Sequence, residues 1–206
     1  MTRTFHFNRI FSGEKYKGLP YYLNTQKKYE WIRTILFFGI SAAIFLMGYM
    51  TTGTHRNLLT IVAVLGCLPA SKSAVSAILY LRCHSPEPEA IERIISHASG
   101  FQQCFDMYFT SYDKNYSLGH LVVYEEAVYA YVCDKTFTQE AFTKHINSIL
   151  STEGYAKDQV RFFFFDKLDQ YCARLDALSE LQKKSKETTE STTAADIIRI
   201  LKSVSL

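Results

Sequence analysis

Acidic side chains are almost missing from the first part of this chain: before Arg82 only Glu14 and Glu30 carry negative charge. Arg3, Arg9, Lys15, Lys17, Lys27, Lys28 and Arg33 therefore stand nearly unopposed ahead of the first long apolar run, a bias that marks a cytoplasmic membrane flank. Cysteine is sparse and widely spaced. Cys67, Cys83, Cys104, Cys133 and Cys172 include no C-x-x-C pair, which argues against short-spaced metal or redox motifs and for reduced, packed thiols. The loops G-x-x-x-x-G-K-[ST], G-x-G-x-x-G and G-x-S-x-G are also lacking, so nucleotide-binding and hydrolase readings lose their usual support. His84, His97, His120 and His145 offer no i, i+4 pair for a helical zinc site. A net charge of +3 is too mild to imply a nucleic-acid partner. No small-x-small pattern follows Met50, so a cleaved signal peptide is not expected.

Two long apolar runs dominate what is present. Residues 35–50 read ILFFGISAAIFLMGYM without a charge, and 32–34 extend them past the roughly 18 residues that a bilayer span needs. After the polar turn TTGTHRN (51–57), residues 58–81 form a second run, LLTIVAVLGCLPASKSAVSAILYL, long enough to span with tilt. So short a turn sends the second helix back antiparallel. The expectation is a transmembrane hairpin over 32–82, with helices at about 32–50 and 58–81. Gly39, Ala43 and Gly48 are the expected helix-contact positions, since small residues let another helix come close. Pro69 removes a backbone donor and predicts a kink, with Ser71 and Ser73 placed to satisfy freed groups. Lys72 beside them is costly in hydrocarbon, about 2.5–3.5 kcal/mol at the centre, unless it snorkels, pairs with a helix or lines a polar path.

The flanks differ from the hairpin and from each other. Residues 1–31 mix aromatics (Phe5, Phe7, Phe11, Tyr16, Tyr21, Tyr22, Tyr29, Trp31) with the cations above, a composition suited to the headgroup layer or to a tail leading into the membrane. Residues 83–88, CHSPEP, read as a breaker-rich linker. A soluble α/β domain (α+β) is expected over 89–185, in the order α-β-β-β-α-β-α. Its pieces are a helix from Pro88, strands near 104–112, 118–124 and 128–133 in an antiparallel meander, and a helix at 138–150. An aromatic strand at 160–165 and an amphipathic helix at 166–184 complete it. VRFFFF is apolar enough to predict a central strand. Residues 186–193 are a polar hinge, and 194–206 a short amphipathic helix that packs on the domain, a partner or the membrane.

The order helix, three strands, helix, strand, helix resembles the core order of the restriction-endonuclease-like nucleases, a likeness of topology alone that covers the soluble part. It implies Mg²⁺ held by an acidic residue on one strand and an acidic-x-Lys triplet on the next. Asp106 and Glu125 are the acids that this reading would use, yet the third strand carries no such triplet, and Asp134 is followed at once by Lys135. A degenerate site is the consequence, and no cofactor, metal or catalytic residue is expected.

The reading that follows is a multi-pass membrane protein with both termini cytoplasmic, at the cell membrane if the source is bacterial. Its hairpin meets lipid and pairs with copies of itself, while the cytoplasmic domain binds a protein or small-molecule partner without catalysis. The alternatives are a signal-sensing effector whose hairpin oligomerises into a pore around Lys72, and a membrane-tethered nuclease-like domain.

Overall fold

The structure, a computed structural model, describes residues 16–112, 114–156, 159–184 and 192–206. Among these, six helices and four strands form two compact units, Leu23–Cys83 on the one hand and Tyr16–Tyr22 with His84–Leu206 on the other.

The first unit is a pair of long helices, α1 (Tyr22–Thr52) and α2 (Leu58–Leu81). Helix α1 starts at Tyr22 rather than near 32, because the polar face of 23–34 continues the helical period of the apolar run instead of ending it. Their 31 and 24 residues give lengths of about 46 and 36 Å. Asn57 makes the reversal: its Oδ1 accepts from the Thr60 amide at 2.8 Å as the N-cap of α2, while its amide donates to Thr52 Oγ1 and the Thr54 carbonyl. Helix α2 continues through Pro69. Ser71 returns its hydroxyl to the Cys67 carbonyl at 2.8 Å.

In the second unit, α3 (Pro88–His97) precedes β1 (Gln102–Thr110), β2 (Asn115–Tyr124) and β3 (Ala127–Val132). Then come α4 (Gln139–Thr152), β4 (Arg161–Phe165), α5 (Leu168–Lys184) and α6 (Thr192–Val204). The three first strands are the expected meander, and β4 returns parallel to β3, so the mixed sheet has the order β1-β2-β3-β4. That order corrects one expectation: the aromatic strand is an edge strand. Its apolar character comes from lying between two helical layers, with Phe162 and Phe164 on one face of the sheet and Phe165 on the other.

The two layers have separate cores. Phe109, Leu118, Leu121 and Val128 meet Phe142 and Ile146 of α4 and Ile197 and Leu201 of α6. On the opposite face Val122 and Tyr129 meet Ile91 and Ile94 of α3 and Tyr171 and Leu175 of α5. The last helix, with three destinations open from its sequence, thus packs on the sheet. Strict alternation breaks once, where Asp106 adopts φ +53° between the pairs Phe105–His120 and Met107–Leu118. Cys104 and Met107 consequently face the same core. Gly119 lies opposite this irregularity, and a Cβ there would sit 2.6 Å from Pro86 Cγ and 2.7 Å from Cys133 Sγ. The expected linker from His84 onward is therefore part of the domain: Pro86 is buried, and the His84 carbonyl accepts from Ser117 Oγ at 2.7 Å.

Candidate functional site

The hairpin turns the usual arrangement inside out. Its outer surface carries Met50, Leu58 and Leu68 at 83, 76 and 67% exposure, whereas Gln26, Glu30, Thr34, Ser41 and Ser73 are buried. Gln26, Glu30, Thr34 and Ser41 recur at spacings of four, four and seven along α1, so they form one stripe, which meets Ser73 of α2. Glu30 pairs with Arg33, which also donates from Nε to Ser73 Oγ at 3.0 Å. Thr34 Oγ1 lies 3.0 Å from the same Ser73 oxygen and 2.8 Å from the Glu30 carbonyl. Gln26 donates to Glu30 Oε1 at 3.1 Å. Glu30 is buried and Arg33 half-buried, and a pair whose other hydrogen bonds are filled by hydroxyls and an amide avoids most of the penalty of an unpaired charge. It also sets the register of the two helices.

The small residues of that seam lie mainly on α2. Ala63, Ala70, Ser73 and Ala77 are buried, and a Cβ on Gly66 would come within 2.7 Å of Ser41 Oγ. Of the helix-contact candidates on α1, Gly48 lies in the seam, where a Cβ would meet Leu59 Cβ at 2.7 Å. Gly39 has nothing within 4 Å and Ala43 is exposed, so both lie on the outer surface. Ser73 joins the polar cluster, but Ser71 and Lys72 point outward. Sequence reasoning missed Gln26, Glu30, Arg33 and Thr34. The signal lies in the 3-4 spacing of Gln26, Glu30, Arg33 and Thr34, which runs across the boundary between the polar leader and the apolar run.

In the α/β domain the two nuclease acids are not brought together. Asp106 is buried within β1, whereas Glu125 occupies the two-residue turn between β2 and β3 with φ +53°. The strand register separates them by about 20 Å. Among the described residues no group of three or more His, Cys, Asp or Glu is disposed to hold a metal.

His120, fully buried, instead organises a polar chain. Its Nδ1 lies 2.7 Å from the Tyr171 hydroxyl and its Nε2 2.9 Å from Gln103 Oε1, while Gln103 donates to the Ala98 carbonyl at 3.3 Å. A proton on Nε2 lets the ring donate to Gln103 and accept at Nδ1 from the Tyr171 hydroxyl, whose longer alternative acceptor is the Tyr129 carbonyl at 3.3 Å. Burial pushes the imidazole down to about 3 and the Tyr171 hydroxyl upward, so both stay neutral. The network ties α5 to the centre of the sheet.

A cleft of about 520 Å³ opens at the carboxyl ends of β3 and β4, beside the start of α3. Glu87, Arg93, Cys133, Asp134, Lys135 and Asp166 line it. Arg93 is held by Asp169 at 2.7 Å, and Asp134 accepts from the amide and hydroxyl of Thr136. Burial pushes the Cys133 thiol up to about 12, away from thiolate chemistry. The cleft thus brings carboxylates and cations together at one end of the sheet. Compared with protein families, curated proteins and solved structures, the chain matches none.

Proposed function

We propose that this chain is an integral membrane protein. The α1–α2 hairpin crosses the bilayer twice and anchors a cytoplasmic α/β domain that binds a partner or small ligand without catalysis. The observation that carries the reading is the inversion just described. Only 17% of the most apolar window of each helix is buried, while the polar residues of α1 turn into the seam. In water this arrangement exposes a large apolar surface and buries the groups that water would solvate, whereas in hydrocarbon both terms reverse sign.

Two further features support it. Both helices exceed the roughly 30 Å of a bilayer core, and Lys27 and Lys28 in the first turns of α1 lie at the same end of the antiparallel pair as Arg82 after α2, with Lys27 donating to the Cys83 carbonyl at 2.9 Å, which favours a cytoplasmic location for that end. The Thr34–Ser73 bond sets Trp31 level with Ser76, about 6 Å along the axis from Lys72. A lysine stem spans that distance, so Lys72 snorkels to the aromatic layer without a pore to receive it. The cleft beside α3 is the place in the domain best suited to a small polar ligand.

The test is an outward-facing charge. Phe38, 42% exposed on α1, tolerates arginine in a water-soluble hairpin, but in lipid Phe38→Arg costs about 2.5–3.5 kcal/mol of insertion. Retention in membranes after alkaline carbonate washing should fall for the variant and stay high for the unaltered chain. A chain that is released by the wash, and remains monodisperse without detergent, overturns the proposal.

A further inference from the structure

The two edges of the sheet are treated differently. Along the outer side of β1, Gly18 bridges Phe105, Ser205 bridges Phe109, and the Leu206 amide donates to the Tyr108 carbonyl at 2.7 Å. Lys17 fastens this cover by donating to the Ser205 carbonyl at 2.7 Å. Along the outer side of β4 no described segment pairs, although four successive phenylalanines stand there with no proline or lysine among them. Phe163 is 39% exposed, and a groove of about 650 Å³ runs between α4 and β4 beside Phe162 and Phe164. An aromatic edge that no described segment covers is the feature that stable proteins cover or blunt.

We propose that the β4 edge pairs with the β4 edge of a second copy, antiparallel about a two-fold axis, to form one eight-stranded sheet in a closed dimer. A two-fold axis perpendicular to the sheet keeps each face on its own side, so opposed residues must share a face. Centring on Phe163 satisfies this and overlaps the whole strand. Phe162 then opposes the second copy's Phe164 beside the α4 groove, and Phe163 opposes its own copy. Arg161 opposes the second copy's Phe165 and comes beside its Asp166, an attraction made twice by symmetry. Both Arg161 and Asp166 are exposed and carry no ion pair among the described residues. Because the β1 edge is covered, association stops at two copies instead of running on into a fibre. The pairing is a property of the α/β domain and holds whether or not the hairpin spans a membrane.

The experiment uses the full chain in detergent or nanodiscs. Directly opposed residues lie about 4.5–5.5 Å apart at Cα, within reach of a disulfide. Phe163→Cys should therefore give a covalent dimer on mild oxidation, well above the background of the unaltered chain. Thr110→Cys, on the covered strand, should not. Phe163→Lys, which opposes two ammonium groups, should yield monomers by mass measurement with the circular dichroism of the parent. Arg161→Glu should weaken the dimer about tenfold or more, and adding Asp166→Arg should restore it. The proposal is overturned if Phe163→Cys links no better than Thr110→Cys, or if both charge variants leave the dimer intact. It is equally overturned by a monomer whose β4 amides resist hydrogen exchange, since something other than a second copy would then cover the edge. Failure of the membrane reading appears only in the carbonate wash.

Discussion

Leucine and isoleucine point outward in one region of this molecule and inward in the other. In the hairpin Ile35, Leu46 and Leu58 are exposed and Glu30 and Ser73 are buried; in the α/β domain Leu121, Ile146 and Leu175 are buried, and Asp169 and Asp176 pair at the surface. The same side chains obey the same energetics in both places, and the difference lies in what surrounds them. Two helices alone enclose no interior large enough to hold their own apolar residues, so they keep only a narrow seam of small and polar groups. The sheet, covered on both faces, has room for two full cores.

The comparison is sharpest where large residues are truncated. Phe142, buried and ringed by Phe109, Tyr116, Phe137 and Phe164, should lose about 3–5 kcal/mol of domain stability on Phe142→Ala, read from denaturant unfolding of the full chain by circular dichroism. Leu46→Ala, on the outer face of α1, should leave that transition where it was. Equal losses at the two positions would break the contrast.

A smaller effect separates the regions by pH. His120 is held below its unfolded value of about 6.5, down to about 3, so the unfolded chain takes up a proton that the folded domain refuses. Its contribution is fully present above pH 6.5 and is lost as pH falls toward 3, reaching about 2 kcal/mol by pH 5. Domain stability measured at pH 7 and pH 5 should differ by that much more in the parent than in His120→Gln. A pH dependence unchanged by the substitution would remove His120 from the account.

The smallest expected effect tests the seam. Gly48→Ala drives a methyl into Leu59 and should cost about 1 kcal/mol, whereas Gly39→Ala, with open space around it, should be neutral or slightly stabilising. Trp31 is the chain's single tryptophan and lies on α1, so its fluorescence during detergent-induced unfolding reports this unit alone. Equal responses from the two glycines would mean that the helices do not pack through Gly48.

Much of the architecture was legible in the residues because it follows from local pattern. The run from 58 to 81 ends where Asn57 caps and Arg82 follows, and α2 has those bounds. Alternation and turn residues located three strands and their meander, and the stripe around Phe142 and Ile146 located α4. The start of α1 was not legible, because hydropathy marks where the apolar run begins and not where helical hydrogen bonding begins. Nor was the polar cluster: Glu30 reads as a flanking charge until Arg33 and Ser73 are placed beside it. For β4, composition misled, since four phenylalanines describe burial by layers above and below and say nothing about neighbours in the plane.

What the sequence determined by itself was which segments are helix or strand, which stretches are apolar, and where along the chain the cations collect, because these depend on properties that repeat along the chain. Only the tertiary structure decided that Glu30, Arg33, Thr34 and Ser73 meet, that Gly18 and Ser205 cover one edge of the sheet, and that the other lacks a partner within the described chain. Those outcomes join residues far apart in sequence, and their free energy exists only once the chain has brought them together.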